Sequence, residues 1–230
     1  MNPEFDRYSS DYAKLLQDPI RDRFASNSQF FHERKWILLR DWCRTLGFDT
    51  ERETWLDVGC GQGELLRLGR SHFARAVGCD LSSGMLGEAD GLEVIRQEAP
   101  DQLPFESGSV GLVTAVCVYH HVEPPHRPAL CEEVKRVLRP GGLFCIIEHN
   151  PFNPATQLIV SRTPVDADAK LLTSWTTRRL LKRTGLDPLG TRYFLMFPER
   201  LFRRAGWIED ALRWLPLGGQ YAALARKPTA

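Results

Sequence analysis

Residues 54–63 (TWLDVGCGQG) combine residue types that can bind a small charged ligand. The apolar start of this segment predicts a short buried strand, and a helical pattern follows from Glu64. Between strand and helix, glycine stands at alternate positions: Gly59, Gly61 and Gly63. Glycine lets backbone N–H groups and a helix N-terminus approach a ligand closely. Asp57, at the end of the strand, adds a carboxylate to the same cleft.

The spacing of these glycines bears on which ligand the turn binds. A dinucleotide-binding turn has the pattern G-x-G-x-x-G, and its helix N-terminus holds a pyrophosphate. Here the pattern is G-x-G-x-G, and Glu64 stands where the third glycine would be needed. Carboxylates at Glu64 and Asp57 disfavour a pyrophosphate, whereas Asp57 suits a cation such as an ammonium or a sulfonium group. A nicotinamide-dependent oxidoreductase is therefore kept only as an alternative.

The elements that position this turn alternate between strand and helix from residue 54 to residue 147. Strands are predicted at 55–58, 74–80, 93–97, 110–116 and 143–147. Helices between them are predicted near 62–71, 82–89 and 128–138. Such alternation favours a mostly parallel sheet covered by helices on both faces. Ligands of open sheets of this kind bind at the carboxyl ends of the strands, where the glycine turn lies.

The flanking segments are predicted to complete a single domain over residues 1–230. Residues 1–50 are expected to form cap helices, the strongest at 28–46, before a ligand-binding core at 54–148. The C-terminal part, 149–230, is predicted to begin with a segment at 148–164 that is mostly loop. A helix near 175–184 follows, with Ser174 as its N-cap. Two strands, at 193–197 and 221–225, are predicted to flank an amphipathic helical insertion near 198–215.

Composition and charge exclude several classes of function. The formal net charge of +1 provides no general attraction for nucleic acid, so no nucleic-acid partner is predicted. Residues 157–230 are locally basic, with 13 Lys and Arg against 6 Asp and Glu, which favours an anionic substrate or surface. The six cysteines form no C-x-x-C pair, and no metal site is predicted. Without a signal pattern or an apolar run near 18 residues, the protein is expected to be cytoplasmic, with no transmembrane segment.

Five segments, in order along the chain, resemble the motifs of class I S-adenosylmethionine-dependent methyltransferases, in the methyltransferase type 11 or ubiquinone-biosynthesis-like branch. The segments are ETWLDVGCGQG at 53–63, GCDLS at 78–82, QEAPDQLPF at 97–105, VYHHV at 118–122 and EVKRVLRPGG at 133–142. The resemblance implies a Rossmann-like α/β fold with a seven-stranded, mostly parallel sheet, helices on both faces and an antiparallel last strand. It implies S-adenosyl-L-methionine as the cofactor and S-adenosyl-L-homocysteine as the product.

The resemblance also implies positions for the cofactor. The glycine turn and Asp57 would hold its amino-acid end, and Asp80 would accept hydrogen bonds from both ribose hydroxyls. Leu81 and Met85 would pack on the adenine, while Glu98 and the Ala99 amide would bind its edge. The full set of predicted cofactor-binding residues is Asp57, Gly59, Cys60, Gly61, Gly63, Asp80, Leu81, Met85, Glu98, Ala99, Val116, Cys117, Tyr8 and Tyr12. The two tyrosines are predicted as an aromatic cap, because aromatic faces attract a sulfonium cation.

Three histidines are candidates for a general base. His120 and His121 follow the fourth predicted strand, and His149 follows the fifth, so all three lie at the ligand-binding edge. The ordinary pKa of histidine suits proton abstraction near neutral pH. Each member of the His-His pair is also open to interpretation as a structural loop residue. His149 is the candidate closest to the expected acceptor region.

The expected activity is methyl transfer to a small-molecule acceptor, which is lipophilic or anionic. A catalytically silent S-adenosylmethionine-binding protein is the alternative of a different class. The acceptor pocket is expected to involve the N-terminal helices, the 148–172 segment and the insertion at 193–217, which is predicted to be a lid. The 198–215 stretch is also compatible with peripheral membrane contact, since arginines alternate there with aromatic residues. A monomer and a homodimer are both left open.

Overall fold

A computed structural model describes residues 3–229. At its centre is a seven-stranded sheet with the strand order β3-β2-β1-β4-β5-β7-β6. The strands are β1 (Thr54–Val58), β2 (Arg75–Asp80), β3 (Glu93–Arg96), β4 (Val110–Val116), β5 (Leu138–His149), β6 (Asp187–Phe194) and β7 (Gln220–Arg226). β7 is antiparallel to both of its neighbours, and the remaining pairs are parallel. The predicted Rossmann-like fold with an antiparallel last strand is confirmed.

Ten α-helices in residues 3–229 surround the sheet. They are α1 (Pro3–Tyr8), α2 (Tyr12–Leu15), α3 (Pro19–Phe24), α4 (Gln29–Thr45), α5 (Glu64–Gly69), α6 (Ser83–Gly87), α7 (Arg127–Val137), α8 (Pro154–Arg162), α9 (Ser174–Arg183) and α10 (Glu199–Leu212). Within the described residues, no helix combines the length and apolarity needed to span a bilayer.

Alternate residues of the central strand enter two different apolar layers. Leu56 and Val58 pack on the face covered by α7 and α9, which contribute Leu130 and Leu181. Trp55, which precedes Leu56, packs on the opposite face with residues of α4 and α5. This alternation is the period of two expected for a strand. Because both faces are covered, β1 is buried along most of its length.

The segment at 148–164 was predicted as a loop, and this prediction is wrong for most of its length. It contains α8, whose first residue is Pro154 and whose N-cap is Asn153. The Asn153 side chain accepts a hydrogen bond from the Thr156 N–H at 3.0 Å. Asparagine followed by proline is a favourable helix start, so Asn153-Pro154 marks the beginning of this helix rather than a loop.

Two strand boundaries also differ from the prediction. β5 begins at Leu138 instead of 143, and a register shift against β4 between Val110 and Leu112 lets it continue through the glycines. β6 ends at Phe194, whereas the prediction placed it at 193–197. β6 is an edge strand, where Pro188 is tolerated although it weakened the sequence signal. The helix predicted to have Ser174 as its N-cap has Thr173 in that role.

A buried ion pair fixes the chain after β6. The Glu209 carboxylate of α10 accepts a hydrogen bond from Arg34 of α4 at 2.5 Å, and both side chains are buried. The same carboxylate accepts the backbone N–H groups of Leu195, Met196 and Phe197. These N–H groups therefore turn towards Glu209 instead of extending the sheet.

We predict that Glu209→Ala lowers the free energy of unfolding by about 3–5 kcal/mol, because it leaves a buried guanidinium and three N–H groups without their acceptor. Urea denaturation of the purified protein measures this. Asp210→Ala, which removes an exposed carboxylate from the next position of α10, is the matched control and is expected to change stability by no more than about 0.5 kcal/mol. Equal losses in the two variants would contradict the anchoring role of Glu209.

Candidate active site

A cavity of about 980 Å³ opens at the carboxyl ends of the central strands. One wall is formed by the glycine turn after β1 and by the ends of β2, β4 and β5. The opposite wall comes from α2, α3, α4 and α8. None of the described residues of α10 lines this cavity. The lid predicted for the insertion at 193–217 is therefore wrong for α10, which packs against Phe30 and Arg34 of α4 instead. From this insertion, Leu195 and Met196 line the cavity.

The glycine turn has the backbone conformation that its sequence implied. Gly59, Gly61 and Gly63 all have positive φ, at 65°, 55° and 82°. A side chain at Gly59 would place its Cβ 2.5 Å from Val118, whereas a Cβ at Gly61 would meet no described atom within 4 Å. Gly61 therefore presents bare backbone to the cavity, and a Cβ there would occupy space open to a ligand.

The carboxylate of Asp80 accepts hydrogen bonds from the backbone of this turn and from the residue that begins the next one. Its Oδ2 accepts the Gly61 N–H and its Oδ1 accepts the Ser82 N–H, each at 2.9 Å. Burial raises the pKa of this carboxyl, and the two N–H donors oppose that shift. Both oxygens keep a second lone pair, so the carboxylate can still accept hydroxyl donors from a bound sugar.

Asp57 is a buried carboxylate at the end of β1, with 3% of its surface exposed. The indole N–H of Trp55 donates to Thr114 Oγ1 at 2.8 Å, and the Thr114 hydroxyl donates to Asp57 Oδ1 at 2.5 Å. Burial raises the pKa of Asp57 to about 7, against the hydrogen bond from Thr114, and the nearby Asp80 adds to the rise. A cation in the cavity beside it would favour the ionised form.

Lys35 lies close to these carboxylates and was not identified from the sequence. It is a buried residue of α4 that lines the cavity. Burial lowers its pKa, while Cys117, Glu64 and Asp57 act in the opposite direction. No carboxylate in residues 3–229 forms an ion pair with it. The sequence did contain a sign of its role: Lys35 stands on the apolar face of an amphipathic helix. A cation buried there needs an anionic partner.

The remaining predicted cofactor residues divide into two groups. The cavity wall includes the predicted residues Asp57, Gly59, Cys60, Gly61, Asp80, Leu81, Met85, Val116, Cys117 and Tyr12. Four others, Gly63, Glu98, Ala99 and Tyr8, do not line it. Gly63, at the start of α5, packs against Leu92. Glu98 is exposed, and its neighbour Gln97 lines the cavity instead. Tyr8 and Tyr12 do not share one helical face, because a 3₁₀ turn at Ser9–Asp11 separates them.

The three predicted histidines meet at the far side of the cavity. The His120 ring lies 4.1 Å from that of His121 and 5.1 Å from that of His149, measured between centroids. His120 Nδ1 lies 2.6 Å from an oxygen of the buried Glu148. Asp166, from the 3₁₀ turn after α8, lies 3.4 Å from His120 Nε2 and 3.5 Å from His121 Nε2. Asp166 was not identified from the sequence.

The carboxylates determine the protonation of this cluster. Burial alone would lower the pKa of His120, but Glu148 and Asp166 outweigh it and hold that pKa well above its usual value. Burial lowers the pKa of His121 to about 4, and the charge on His120 contributes. The same two causes lower the pKa of His149 to about 4. At neutral pH, His121 and His149 are therefore neutral and can accept hydrogen bonds.

Comparisons with known proteins show what the strand–helix core at 56–146 is similar to. A profile described as a methyltransferase domain matches residues 56–146. A crystal structure of an S-adenosylmethionine-dependent methyltransferase from Archaeoglobus fulgidus superimposes with a TM-score of 0.63 at 19% identity, covering 87% of this chain and 100% of that one. Residues 56–146 are a methyltransferase domain, with the fold of an S-adenosylmethionine-dependent methyltransferase. The glycine turn, Asp57 and Asp80 all belong to this methyltransferase domain.

Curated relatives of the methyltransferase domain have diverse names. One from Arabidopsis thaliana, a tRNA (carboxymethyluridine(34)-5-O)-methyltransferase, is 32% identical over 52% of this chain and 29% of its own length. A demethylmenaquinone methyltransferase from Symbiobacterium thermophilum is 26% identical over 90% of this chain and 89% of its own. The chain spans less than half the length of the first two curated relatives it matches, at 29% and 48%.

We predict that Gly61→Ala weakens S-adenosylhomocysteine binding at least about tenfold, which corresponds to about 1.4 kcal/mol. The new methyl group would enter the space that the turn leaves for the ligand. A left-handed alanine also costs about 1–2 kcal/mol of stability. Gly108→Ala is the matched control, since Gly108 has φ of 72° and an exposed position with open space around it. Isothermal titration calorimetry on both variants measures the difference, and equal affinities would contradict the prediction.

Proposed function

We propose that this protein transfers the methyl group of S-adenosylmethionine to a small-molecule acceptor bound in the same cavity. The observation that carries the proposal is the cavity itself, which joins the glycine turn and Asp57 at one end to the histidine cluster at the other. Ligand pockets have volumes of about 300–1,000 Å³, so a cavity of about 980 Å³ has room for a donor and an acceptor together.

The residues of the glycine-turn end fit the donor. We assign the amides of the turn and the Asp57 carboxylate to its amino-acid group, with Asp57 beside the ammonium and Lys35 beside the carboxylate. Asp80 takes the ribose hydroxyls, and Leu81 and Met85 contact the adenine. The sulfonium supplies an activated methyl group. Most of the protein's contribution is then positioning, since the reaction is an in-line displacement between two held partners.

Apart from His120 and His121, the acceptor end is built largely by parts of the chain outside the matched residues 56–146. The walls there come from α2, α3, α4 and α8, with Arg21 among the lining residues. The guanidinium of Arg21 lies 4.8 Å from the Phe31 ring and donates to the Leu16 carbonyl, and it has no carboxylate partner among the described residues. An unpaired cation in an apolar wall supports an acceptor that carries negative charge on a largely apolar body.

The alternatives differ in what is methylated. The relative from Arabidopsis is named for tRNA, whereas the net charge of +1 supports a small acceptor for this chain. Incubation with radiolabelled S-adenosylmethionine and a cell extract separates the two, before and after ribonuclease treatment. Label in low-molecular-weight, ribonuclease-resistant product supports the proposal. Label lost with ribonuclease would replace it with RNA methylation, and cofactor binding with no label in any fraction would indicate a silent binding protein.

We predict that S-adenosylhomocysteine binds about fivefold more weakly at pH 6 than at pH 7. The pKa of Asp57 is about 7, so its ionised fraction falls from about one half to about one tenth over that interval. Pairing with the ligand's ammonium requires the ionised form, and binding therefore releases a proton. Calorimetry at the two pH values measures this, with Asp57→Asn as the control that binds weakly at both. The same pH dependence in wild type and variant would contradict the role of Asp57.

The exposed face of α10 supports contact with an anionic membrane surface. Trp207 and Trp214 are 72% and 69% exposed, with Leu201 and Leu217 near them in sequence. Exposed arginines on the same stretch are Arg200, Arg203, Arg204 and Arg213. Trp214 and Arg213 lie just after α10, which ends at Leu212. Tryptophan and arginine along one amphipathic segment favour the interface of a bilayer with anionic lipids.

We predict that replacing Trp207 and Trp214 together by Ser lowers partitioning onto phosphatidylserine-containing vesicles about tenfold. Sedimentation with such vesicles measures the bound fraction. Trp175→Ser removes a tryptophan of similar exposure (61%) from α9 and is expected to have little effect. If wild type and both variants sediment alike, this face of α10 is not a membrane contact.

A further inference from the structure

Three side chains at the acceptor end of the cavity converge in the manner of metal ligands. They are His120, His121 and Asp166, and one ligand atom from each lies within 4.8 Å of the other two. All three residues line the cavity, and Asp166 comes from the 3₁₀ turn after α8. Two imidazole nitrogens and one carboxylate oxygen form a donor set suited to divalent first-row transition metals.

The two distances from Asp166 fit a tetrahedral ion. Asp166 Oδ1 is 3.4 Å from His120 Nε2 and 3.5 Å from His121 Nε2. Metal–ligand bonds of about 2.0–2.1 Å at tetrahedral angles separate neighbouring ligand atoms by about 3.3–3.4 Å. The same distances are long for hydrogen bonds between these groups, and they equally suit an ion pair between a protonated His120 and Asp166, which a metal ion would replace.

The orientation of His120 is the second, independent observation. Its Nδ1 lies 2.6 Å from Glu148 Oε2, and the other oxygen of Glu148 accepts the Tyr119 N–H at 2.8 Å. Its Nε2 is fully buried and has no hydrogen-bond partner among the described residues. Burial of an unpaired ring nitrogen is unfavourable. A carboxylate behind a histidine whose other nitrogen is free is the usual arrangement around a metal-binding histidine.

We propose that His120, His121 and Asp166 bind a divalent transition-metal ion, with Glu148 orienting His120 from behind. Three protein ligands leave the fourth position of a tetrahedral ion open, and all three residues line the cavity. If the proposed function holds, the open position selects an acceptor that carries an oxygen ligand, such as a hydroxyl or a carboxylate. The cluster then positions the acceptor, in addition to any proton transfer by its histidines.

The test is titration of the full-length protein, stripped with a chelator, with Zn²⁺ by calorimetry and with Co²⁺ by visible absorption. We expect one Zn²⁺ per chain and the intense absorption of four-coordinate Co²⁺. Asp166→Asn and His121→Gln are each expected to weaken Zn²⁺ binding about 100-fold or more, and Glu148→Gln about 10–100-fold. His126→Gln removes a histidine that also lines the cavity but lies outside the cluster, and it is expected to leave Zn²⁺ affinity unchanged.

S-adenosylhomocysteine affinity, measured on every variant, shows that the fold is intact. Zn²⁺ binding by wild type that is no tighter than binding by Asp166→Asn would overturn the metal site, as would an equal loss in His126→Gln. In that case the cluster is a protonated His120 held between two carboxylates. The two proposals fail in different ways. Binding of S-adenosylhomocysteine without binding of Zn²⁺ would contradict only the metal site. Binding of Zn²⁺ without binding of S-adenosylhomocysteine would contradict the proposed function.

Discussion

A carboxylate is buried at the carboxyl end of the central strand, and the surrounding structure is arranged to tolerate it. Asp57 stands in register with Gly78 of β2 and with Thr114 of β4. Thr114 donates the hydrogen bond that Asp57 needs, and Trp55 fixes Thr114. At Gly78, a Cβ would lie 2.5 Å from the sulfur of Cys60, so glycine is required for the turn to fold over the sheet. In the proposed function, the ammonium group of the cofactor relieves the unfavourable burial of Asp57.

The other end of the cavity depends on contacts that are distant in the chain. The side chains of Asn150 and Asn153 donate to carbonyl groups of residues 216–218, and Thr156 donates to Gly219. These bonds hold α8 over the strand ends and place Asp166 against the histidines. Two non-glycine residues with positive φ, Cys117 and Leu195, also line the cavity. Such strained backbone is concentrated at functional sites because the surrounding packing must impose it.

Most of the residues predicted for the donor side line the cavity, because they are close together in the chain. The turn at 54–63 and Asp80 follow adjacent strands, so the spacing of their motifs fixes their meeting place. Lys35 and Asp166 escaped prediction for the opposite reason. Each reaches the cavity through tertiary packing, one across the α4 interface and one through the bonds that hold α8. Pro154, which begins α8, was interpreted as part of a loop. The predicted position of β6 was wrong because the binding of three backbone N–H groups by Glu209 cannot be inferred from local pattern.

The most direct test of this account is a crystal structure of the protein with S-adenosylhomocysteine. The account predicts that the amino-acid end of the ligand lies between Asp57 and Lys35, that Asp80 bonds both ribose hydroxyls, and that the sulfur faces the side of the cavity lined by His120, His121 and Asp166. A ligand whose sulfur points away from that cluster, or whose ammonium does not contact the Asp57 end of the cavity, would contradict the account.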